Sequence, residues 1–112
     1  MKKLHGGVVV QVDLGTLPYG HEQSGLRPAI LLSMQNNIAL VVPLTSNTTA
    51  LRFSATLPIS PNKTNGLSET SVALAFQLRA IDTQRVVKRI GMLNAKDIRS
   101  LNKIIRIITQ II

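Results

Sequence analysis

A nine-residue segment, residues 20–28, holds more chemically active side-chain types than any other part of the chain. It reads Gly-His-Glu-Gln-Ser-Gly-Leu-Arg-Pro and offers an imidazole, a carboxylate, an amide, a hydroxyl and a guanidinium. Two glycines and a proline shape it, and apolar strand-like segments flank it on both sides. Because candidate acid–base groups are few elsewhere, we expect the chemistry of this protein to involve this segment.

The rest of the sequence argues against several common kinds of catalytic site. His5 and His21 stand 16 positions apart, and the 5 carboxylates show no spacing typical of a metal site. A Ser-His-Asp triad is formally possible, but the chain has no strand–turn–helix nucleophile elbow and no glycine-rich loop of the nucleotide hydrolases. A metal-free reaction at a phosphate remains. RNA supplies its own nucleophile for it, the 2′-hydroxyl beside the scissile phosphate.

Three side chains suit such a reaction. Arg27 precedes Pro28, which favours extended geometry where the loop becomes a strand, and its planar guanidinium matches phosphate oxygens. Thr45 stands at the end of another predicted strand, and His21 carries an imidazole, the side chain that titrates near neutral pH. Each also has a plainer interpretation: an arginine lying along the surface, a turn threonine and a solvated loop histidine.

The charge of the chain favours a polyanionic partner. Its 112 residues include 13 Lys and Arg against 5 Asp and Glu, a formal net charge of +8, and most of this excess lies in residues 57–112. A nucleic acid or an acidic protein fits that charge, although a basic face can also be an ordinary solvated surface. The aromatic residues are Tyr19, Phe53 and Phe76, which are too few for a broad base-stacking platform.

Length and composition predict one domain, residues 1–112, with a hydrophobic core. The chain has no cysteine, which fits a reducing compartment. No apolar run approaches the roughly 18 residues of a membrane span, and the start does not resemble a secretory signal. We therefore expect a cytoplasmic protein without membrane contact.

The first half of the chain shows the alternation typical of strands. Residues 8–14 predict a half-buried strand, and residues 29–33 and 38–44 predict a hairpin whose turn is Gln35-Asn36-Asn37. Residues 51–57 alternate again, which predicts a further strand.

The second half ends in a change of period. Residues 58–70 predict a long loop, residues 71–81 predict a long strand, and residues 86–90 predict a short strand. Apolar residues at three- and four-residue steps over residues 98–111 predict an amphipathic helix, with Asn94 as its N-cap. The whole pattern indicates a mainly β protein with a C-terminal helix, built as a strongly bent antiparallel sheet or half-open barrel.

Four motifs in a fixed order resemble a known family. They are Val12-Asp13-Leu14, residues 20–33, the segment Val-Val-Pro-Leu-Thr-Ser at 41–46 and the segment Gln-Leu-Arg-Ala-Ile-Asp at 77–82. Together they closely resemble the MazF/PemK toxins of type II toxin–antitoxin systems. The resemblance implies a small SH3-like half-open barrel of the CcdB/MazF type that forms homodimers. It also implies a sequence-specific endoribonuclease, an mRNA interferase, that cuts single-stranded RNA without metal or other cofactor and leaves 2′,3′-cyclic phosphate and 5′-hydroxyl ends.

The resemblance assigns roles to individual residues. The arginine of the family's Arg-Pro pair maps to Arg27, as transition-state stabiliser and candidate acid. The threonine of its Pro-x-Thr-Ser motif maps to Thr45, as a hydrogen-bond donor to phosphate. His21 matches a histidine found in part of the family and is the candidate base. The candidate substrate-binding residues are Glu22, Gln23, Ser46, Gln77 and Arg79.

Leu74 and Phe76 depart from part of the family. Some branches carry an arginine and an aspartate at these positions, assigned to acid–base chemistry. Here the alternation places both on an apolar face, which predicts core positions. We therefore expect the mechanism of the branches that rely on the arginine and the threonine. Two alternatives stay open: a non-enzymatic toxin of the same fold that binds a protein such as DNA gyrase, and a catalytically inactive antitoxin-binding module.

An acidic antitoxin is the expected partner in every case. A disordered acidic segment can lie across the basic cleft, cover Arg27 and fold as it binds. Contact with DNA is then expected only through the antitoxin complex. The loops at residues 15–26 and 58–70 are the segments expected to recognise the RNA sequence.

Overall fold

Short antiparallel strands and one α-helix make up most of the regular structure in the part of the chain that the structure describes. The computed structural model describes residues 4–16 and 23–110. Short stretches of 3₁₀ helix lie at Thr48–Arg52, Ala75–Gln77 and Thr83–Arg85. The strands are β1 (Val8–Asp13), β2 (Leu26–Gln35), β3 (Ile38–Thr45), β4 (Thr56–Ile59), β5 (Ser71–Leu74), β6 (Arg79–Asp82) and β7 (Val86–Met92), and the helix is α1 (Ala95–Thr109).

Strand β3 is the centre of the sheet. On one edge it pairs with β2, which pairs in turn with β1, and β1 with β7. Its other edge is shared: β6 pairs with the first half of β3, and β5 pairs with its end, with β4 beyond β5. Every pairing is antiparallel. The end of β3 therefore lies between two neighbouring strands, where its side chains are held in place.

The long strand predicted over residues 71–81 is interrupted. Between its pairs with Arg79 and Ala73, β3 advances three residues, from Val41 to Leu44, while the opposite chain uses six. The surplus residues leave the sheet as the 3₁₀ helix Ala75–Gln77. Pro43 lies in this gap of β3 and has no N–H to donate to a partner strand.

The sheet buries residues on both of its faces. In β1, Val8, Val10 and Val12 pack into one core cluster, as the alternation predicts. The prediction that the strand is half-buried is wrong at Val9, which is fully buried in a second cluster that includes Leu101 of α1. The helix and β5 cover the second face, so β1, β2 and β3 have apolar side chains on both sides.

The predicted hairpin is confirmed. Strands β2 and β3 meet at a two-residue turn in which Asn36 has φ 55° and Asn37 has φ 64°. Positive φ at both positions is the signature of a type I′ turn, and asparagine tolerates this conformation better than most residues. The turn sets the register of the hairpin, and so determines which residues meet at its far end.

The strand predicted over residues 51–57 is wrong in its position. The chain forms 3₁₀ helix over Thr48–Arg52, and β4 begins only at Thr56. The Asn47 carboxamide accepts hydrogen bonds from the backbone N–H and the hydroxyl of Thr49, which starts a turn instead of a strand. Ala55, at φ 57°, then redirects the chain into β4.

One buried asparagine orders much of the loop predicted over residues 58–70. Asn65 is fully buried; its Oδ1 accepts from the backbone N–H of Asn62 and Leu67, and its Nδ2 donates to the carbonyl of Ser60. The backbone N–H of Met92 donates to the Thr64 carbonyl at 2.8 Å. The bond from Met92 fastens the segment to the end of β7, and the first residues of the segment belong to β4.

The C-terminal helix follows its sequence signals. Asn94 is the N-cap, and its side chain accepts from the backbone N–H of Asp97 at 2.8 Å. Leu101, 2% exposed, anchors the apolar face in the second core cluster, while Ile107 is 60% exposed. Within the described residues, no helix has the length and apolar character needed to cross a membrane.

We expect Leu101→Ala to lower the free energy of unfolding by about 2–5 kcal/mol, because it leaves a cavity between the helix and the sheet. Ile107→Ala, on the same helix, should change it by less than about 0.5 kcal/mol, since its side chain is mostly in solvent. Urea unfolding followed by circular dichroism measures both. Equal losses in the two variants would show that α1 does not pack through Leu101.

Candidate active site

The β2–β3 hairpin brings the two principal candidate residues to one end of the sheet. The last pair of the hairpin ladder joins Ala29 with Pro43. From there β2 runs back to Arg27 while β3 runs forward to Thr45, two residues on either side. The strands are antiparallel, so residues 18 apart in sequence lie at the same end of the sheet.

Thr45 lines a pocket of about 170 Å³. It is buried as a residue, and its hydroxyl oxygen accepts a hydrogen bond from the backbone N–H of Asn47 at 3.2 Å. This bond leaves the hydroxyl hydrogen for another acceptor. The pocket is also lined by Gln23, Asn47, Thr49, Ala50, Arg52, Phe53, Leu74, Phe76 and Gln77.

Arg27 lines a neighbouring pocket of about 260 Å³ together with Ser46. The half-buried Arg27 donates from Nε to the carbonyl oxygen of Ser24 at 3.1 Å. Its two terminal nitrogens have no hydrogen-bond partner within residues 4–16 and 23–110. The guanidinium is thus oriented by its inner nitrogen, and its planar outer fork has the geometry that binds an anion. Glu69 also lines this pocket.

Gln23 ties the loop before β2 to the 3₁₀ helix at residues 75–77. Its backbone N–H donates to Oε1 of Gln77 at 2.9 Å, and its carbonyl accepts from Arg79 at 3.5 Å. Its own Oε1 is buried and lacks a hydrogen-bond partner in the described part of the chain. A buried acceptor of this kind is costly unless a ligand or water donates to it.

Phe76 is not a core residue, contrary to the alternation argument, whereas Leu74 is buried as predicted. The 3₁₀ helix breaks the period of two, so Phe76 points outward and is 45% exposed. Its ring contacts that of Phe53, with centroids 5.7 Å apart and planes at 58°. Arg52 lies over the Phe53 ring, with Cζ 4.8 Å from the centroid.

The predicted residues therefore divide between adjoining pockets. Gln23, Thr45 and Gln77 share one, Arg27 and Ser46 share the next, and Arg79 lines a third with Gln77. His21 and Glu22 lie outside the described residues. Within the described ranges, no group of three or more His, Cys, Asp or Glu side chains is arranged to hold a metal ion.

Three further pocket residues were not expected from the sequence: Asn47, Arg52 and Phe53. The pattern Asn47-Thr48-Thr49 is a recognisable cap signal, and it could have indicated a turn that carries Arg52 and Phe53 back toward Thr45. The pairing of Phe53 with Phe76 had no such signal, because it depends on the break between β5 and β6.

Residues 5–109 match the family described as PemK-like, MazF-like toxin of type II toxin–antitoxin system. The chain belongs to this family. It is 30% identical to Endoribonuclease MazF9 of Mycobacterium tuberculosis, over 90% of this chain and 92% of that protein. The suspected family of toxins is thereby confirmed.

Solved structures of MazF proteins share the fold. A crystal structure of MazF from Deinococcus radiodurans superposes with a TM-score of 0.77 at 22% identity, covering 96% of this chain and 97% of that one. A structure of MazE–MazF from the same organism gives a TM-score of 0.71 at 23% identity, covering 97% of each chain. The predicted fold class, a mainly β half-open barrel with a C-terminal helix, is confirmed.

The bond between Gln77 and Gln23 predicts a local effect on hydrogen exchange. Gln77→Leu should speed exchange of the Gln23 amide by about 2- to 12-fold, which corresponds to the loss of one hydrogen bond of about 0.5–1.5 kcal/mol. Gln77→Glu keeps an acceptor and should preserve the protection. Exchange followed by NMR measures both, with Gln84→Leu on the exposed 83–85 turn as control. Unchanged protection in Gln77→Leu would show that this hydrogen bond does not hold the loop to the 3₁₀ helix.

Proposed function

We propose that this toxin is a sequence-specific endoribonuclease that cleaves single-stranded RNA without a metal ion. The observation that carries the proposal is the family match over residues 5–109, in a fold that brings Arg27 and Thr45 to the same end of one hairpin. The identity of 30% with a protein named as an endoribonuclease supports the same activity.

The reaction is an internal transfer within RNA. The 2′-oxygen forms a bond to the scissile phosphorus while the bond from phosphorus to the 5′-oxygen breaks. A base takes the 2′-hydroxyl proton, and an acid returns a proton to the leaving 5′-oxygen. The products are a 2′,3′-cyclic phosphate and a 5′-hydroxyl, and no water or metal-bound hydroxide is consumed.

Arg27 is the proposed stabiliser of the phosphorane-like transition state, and the candidate acid. Its Nε is occupied by Ser24, so the terminal nitrogens are held in one orientation before substrate arrives. A preoriented, positively charged fork stabilises the extra negative charge on phosphate oxygens without reorganisation during the reaction.

Thr45 is the proposed hydrogen-bond donor to a phosphate oxygen. The backbone N–H of Asn47 already donates to the Thr45 hydroxyl oxygen, so the hydroxyl's own hydrogen is available to the substrate. Ser46, the next residue, borders the pocket of Arg27, so consecutive residues of one strand end contribute to both pockets.

The remaining candidates are proposed to complete the cleft. His21 is the proposed base, because an imidazole accepts a proton near neutral pH. Glu22, Gln23, Ser46, Gln77 and Arg79 are the proposed substrate contacts. The net charge of +8 favours association with a polyanion, and affinity for RNA should therefore fall as salt concentration rises.

The proposed partners follow from the toxin–antitoxin family. An acidic antitoxin would cover the cleft and block Arg27, and any contact with DNA would be made through that complex. The solved MazE–MazF complex of Deinococcus radiodurans, whose MazF fold this chain shares, supports an antitoxin partner. We further propose that the single domain forms a homodimer and acts in the cytoplasm.

Arg27→Ala should lower kcat/KM for RNA cleavage by at least about 10³-fold in the presence of EDTA, because it removes the charge that faces the transition state. Arg27→Lys should be intermediate, since it keeps a charge but loses the planar fork. Labelled RNA of mixed sequence, with primer extension to map the cuts, measures the loss and the recognition sequence together.

Arg99→Ala, on the exposed face of α1, is the matched control and should cut at the wild-type rate. A folded Arg27→Ala protein with wild-type activity would overturn the proposed role of Arg27. A wild-type protein that yields no discrete RNA fragments, with or without EDTA, would overturn the activity itself and favour a toxin that binds a protein target.

Thr45→Val should lower kcat/KM by about 10- to 150-fold, the effect of losing one hydrogen bond to a charged group. Thr45→Ser keeps the hydroxyl and should retain most of the activity. Because Thr45 is buried, thermal unfolding of both variants should accompany the kinetics. Equal activity of the serine and valine variants would exclude a hydroxyl contact with the phosphate.

A further inference from the structure

Two of the chain's three aromatic residues form one exposed cluster beside Thr45. Phe53 and Phe76 are 46% and 45% exposed, and the centroids of their rings lie 5.7 Å apart. Contacting phenylalanines at the surface form an apolar patch that a ligand can cover. Both rings line the 170 Å³ pocket that contains Thr45.

The two rings differ in what already covers them. The guanidinium of Arg52 lies over the face of Phe53, and the ring of Phe76 packs against it at 58°. The rings are tilted and in contact, so a planar ligand does not fit between them. Phe76 instead lines two pockets, of about 170 Å³ and 230 Å³, and Gln77 lines both of them as well.

Polar groups in the same pocket match the rest of a nucleotide. Gln23 Oε1 is buried without a partner in the described part of the chain, and it lines the pocket with Phe76. As an acceptor it requires an N–H donor, which every nucleobase carries on its Watson–Crick edge. Arg52 also lines the pocket and supplies a cation that can bind the phosphate of a stacked nucleotide.

We propose that Phe76, braced by Phe53 and Arg52, is a stacking subsite for one unpaired nucleobase of the RNA substrate, with the base edge directed to Gln23. This inference rests on the proposed ribonuclease function and names how that site holds its substrate. A single braced ring agrees with the small number of aromatic residues: it holds one base rather than a run of bases. The subsite thus selects single-stranded RNA, because a paired base does not present its Watson–Crick edge.

The absence of tryptophan from the chain allows a direct optical test. Phe76→Trp keeps an aromatic ring at the subsite and adds the only tryptophan. Its emission should be quenched by a single-stranded decamer of 2′-fluoro RNA, which lacks the attacking hydroxyl and is not cut. An abasic decamer with the same number of phosphates should not quench it. Leu51→Trp is the matched control, because Leu51 is 42% exposed on the same 3₁₀ helix as Arg52 but does not line the pocket.

Binding to the two decamers gives a second measurement. Phe76→Leu should weaken affinity for the base-bearing decamer by about 5- to 150-fold, the range expected for stacking of one base, and should leave the abasic decamer unaffected. Phe53→Leu should act in the same direction with a smaller effect, because Phe53 positions the ring. Leu51→Ala should change neither affinity.

The outcomes separate this subsite from the ribonuclease proposal. Base-dependent quenching in a protein that cuts no RNA would support the subsite and overturn the enzyme. Cleavage of RNA with equal emission for base-bearing and abasic decamers would overturn the subsite alone. If Phe76→Leu weakens binding of an acidic antitoxin but not of the base-bearing decamer, the cluster is a protein-docking surface and the nucleobase assignment is wrong.

Discussion

A mismatch in length along one edge of β3 determines the shape of the candidate site. While β3 advances from Val41 to Leu44, the opposite chain runs through twice as many steps, from Arg79 to Ala73. The surplus cannot be paired within the sheet, and Pro43 offers no N–H to hold it there. It turns outward as 3₁₀ helix. An aromatic ring and an amide, Phe76 and Gln77, thereby reach the pocket that also contains Thr45.

Burial on both faces of the sheet makes these strand ends precise. The central strands have apolar side chains on both faces, in one core on each side. A one-residue shift in strand register would therefore still bury apolar side chains. It would, however, break the type I′ turn and the hydrogen bonds between β2 and β3. Arg27 and Thr45 extend from the open end of the hairpin opposite that turn. Polar residues at the ends of strands fixed in this way need little ordering when a ligand binds.

The parts of the fold that depend on local signals could be predicted from the sequence. The Asn36–Asn37 turn and the cap at Asn94 act through bonds and dihedral angles within a few residues. The position of Phe76 could not be predicted, because alternation assumes an unbroken strand, and the break arises from pairing with β3, more than 30 residues earlier in the chain. The strand expected over residues 51–57 was displaced by the Asn47 side chain, whose hydrogen bonds outweigh the weak alternation. The break after β5 and the displaced strand at residues 51–57 together bring Phe53 and Phe76 into contact. The part of the pocket that sequence reasoning missed results from these two differences.

The loop before β2 is held by side chains that also belong to the candidate site. Gln77 and Arg79 bind the backbone of Gln23, and Arg27 binds the carbonyl of Ser24. These bonds set the direction of the Arg27 guanidinium before any ligand is present, so the conformational entropy of that side chain is lost on folding and not when a ligand binds. The arrangement depends on an arginine, because Nε holds the loop while the terminal nitrogens make no further hydrogen bond within the described residues. A lysine would have to serve both purposes with one nitrogen, so the shape of the guanidinium matters here as much as its charge.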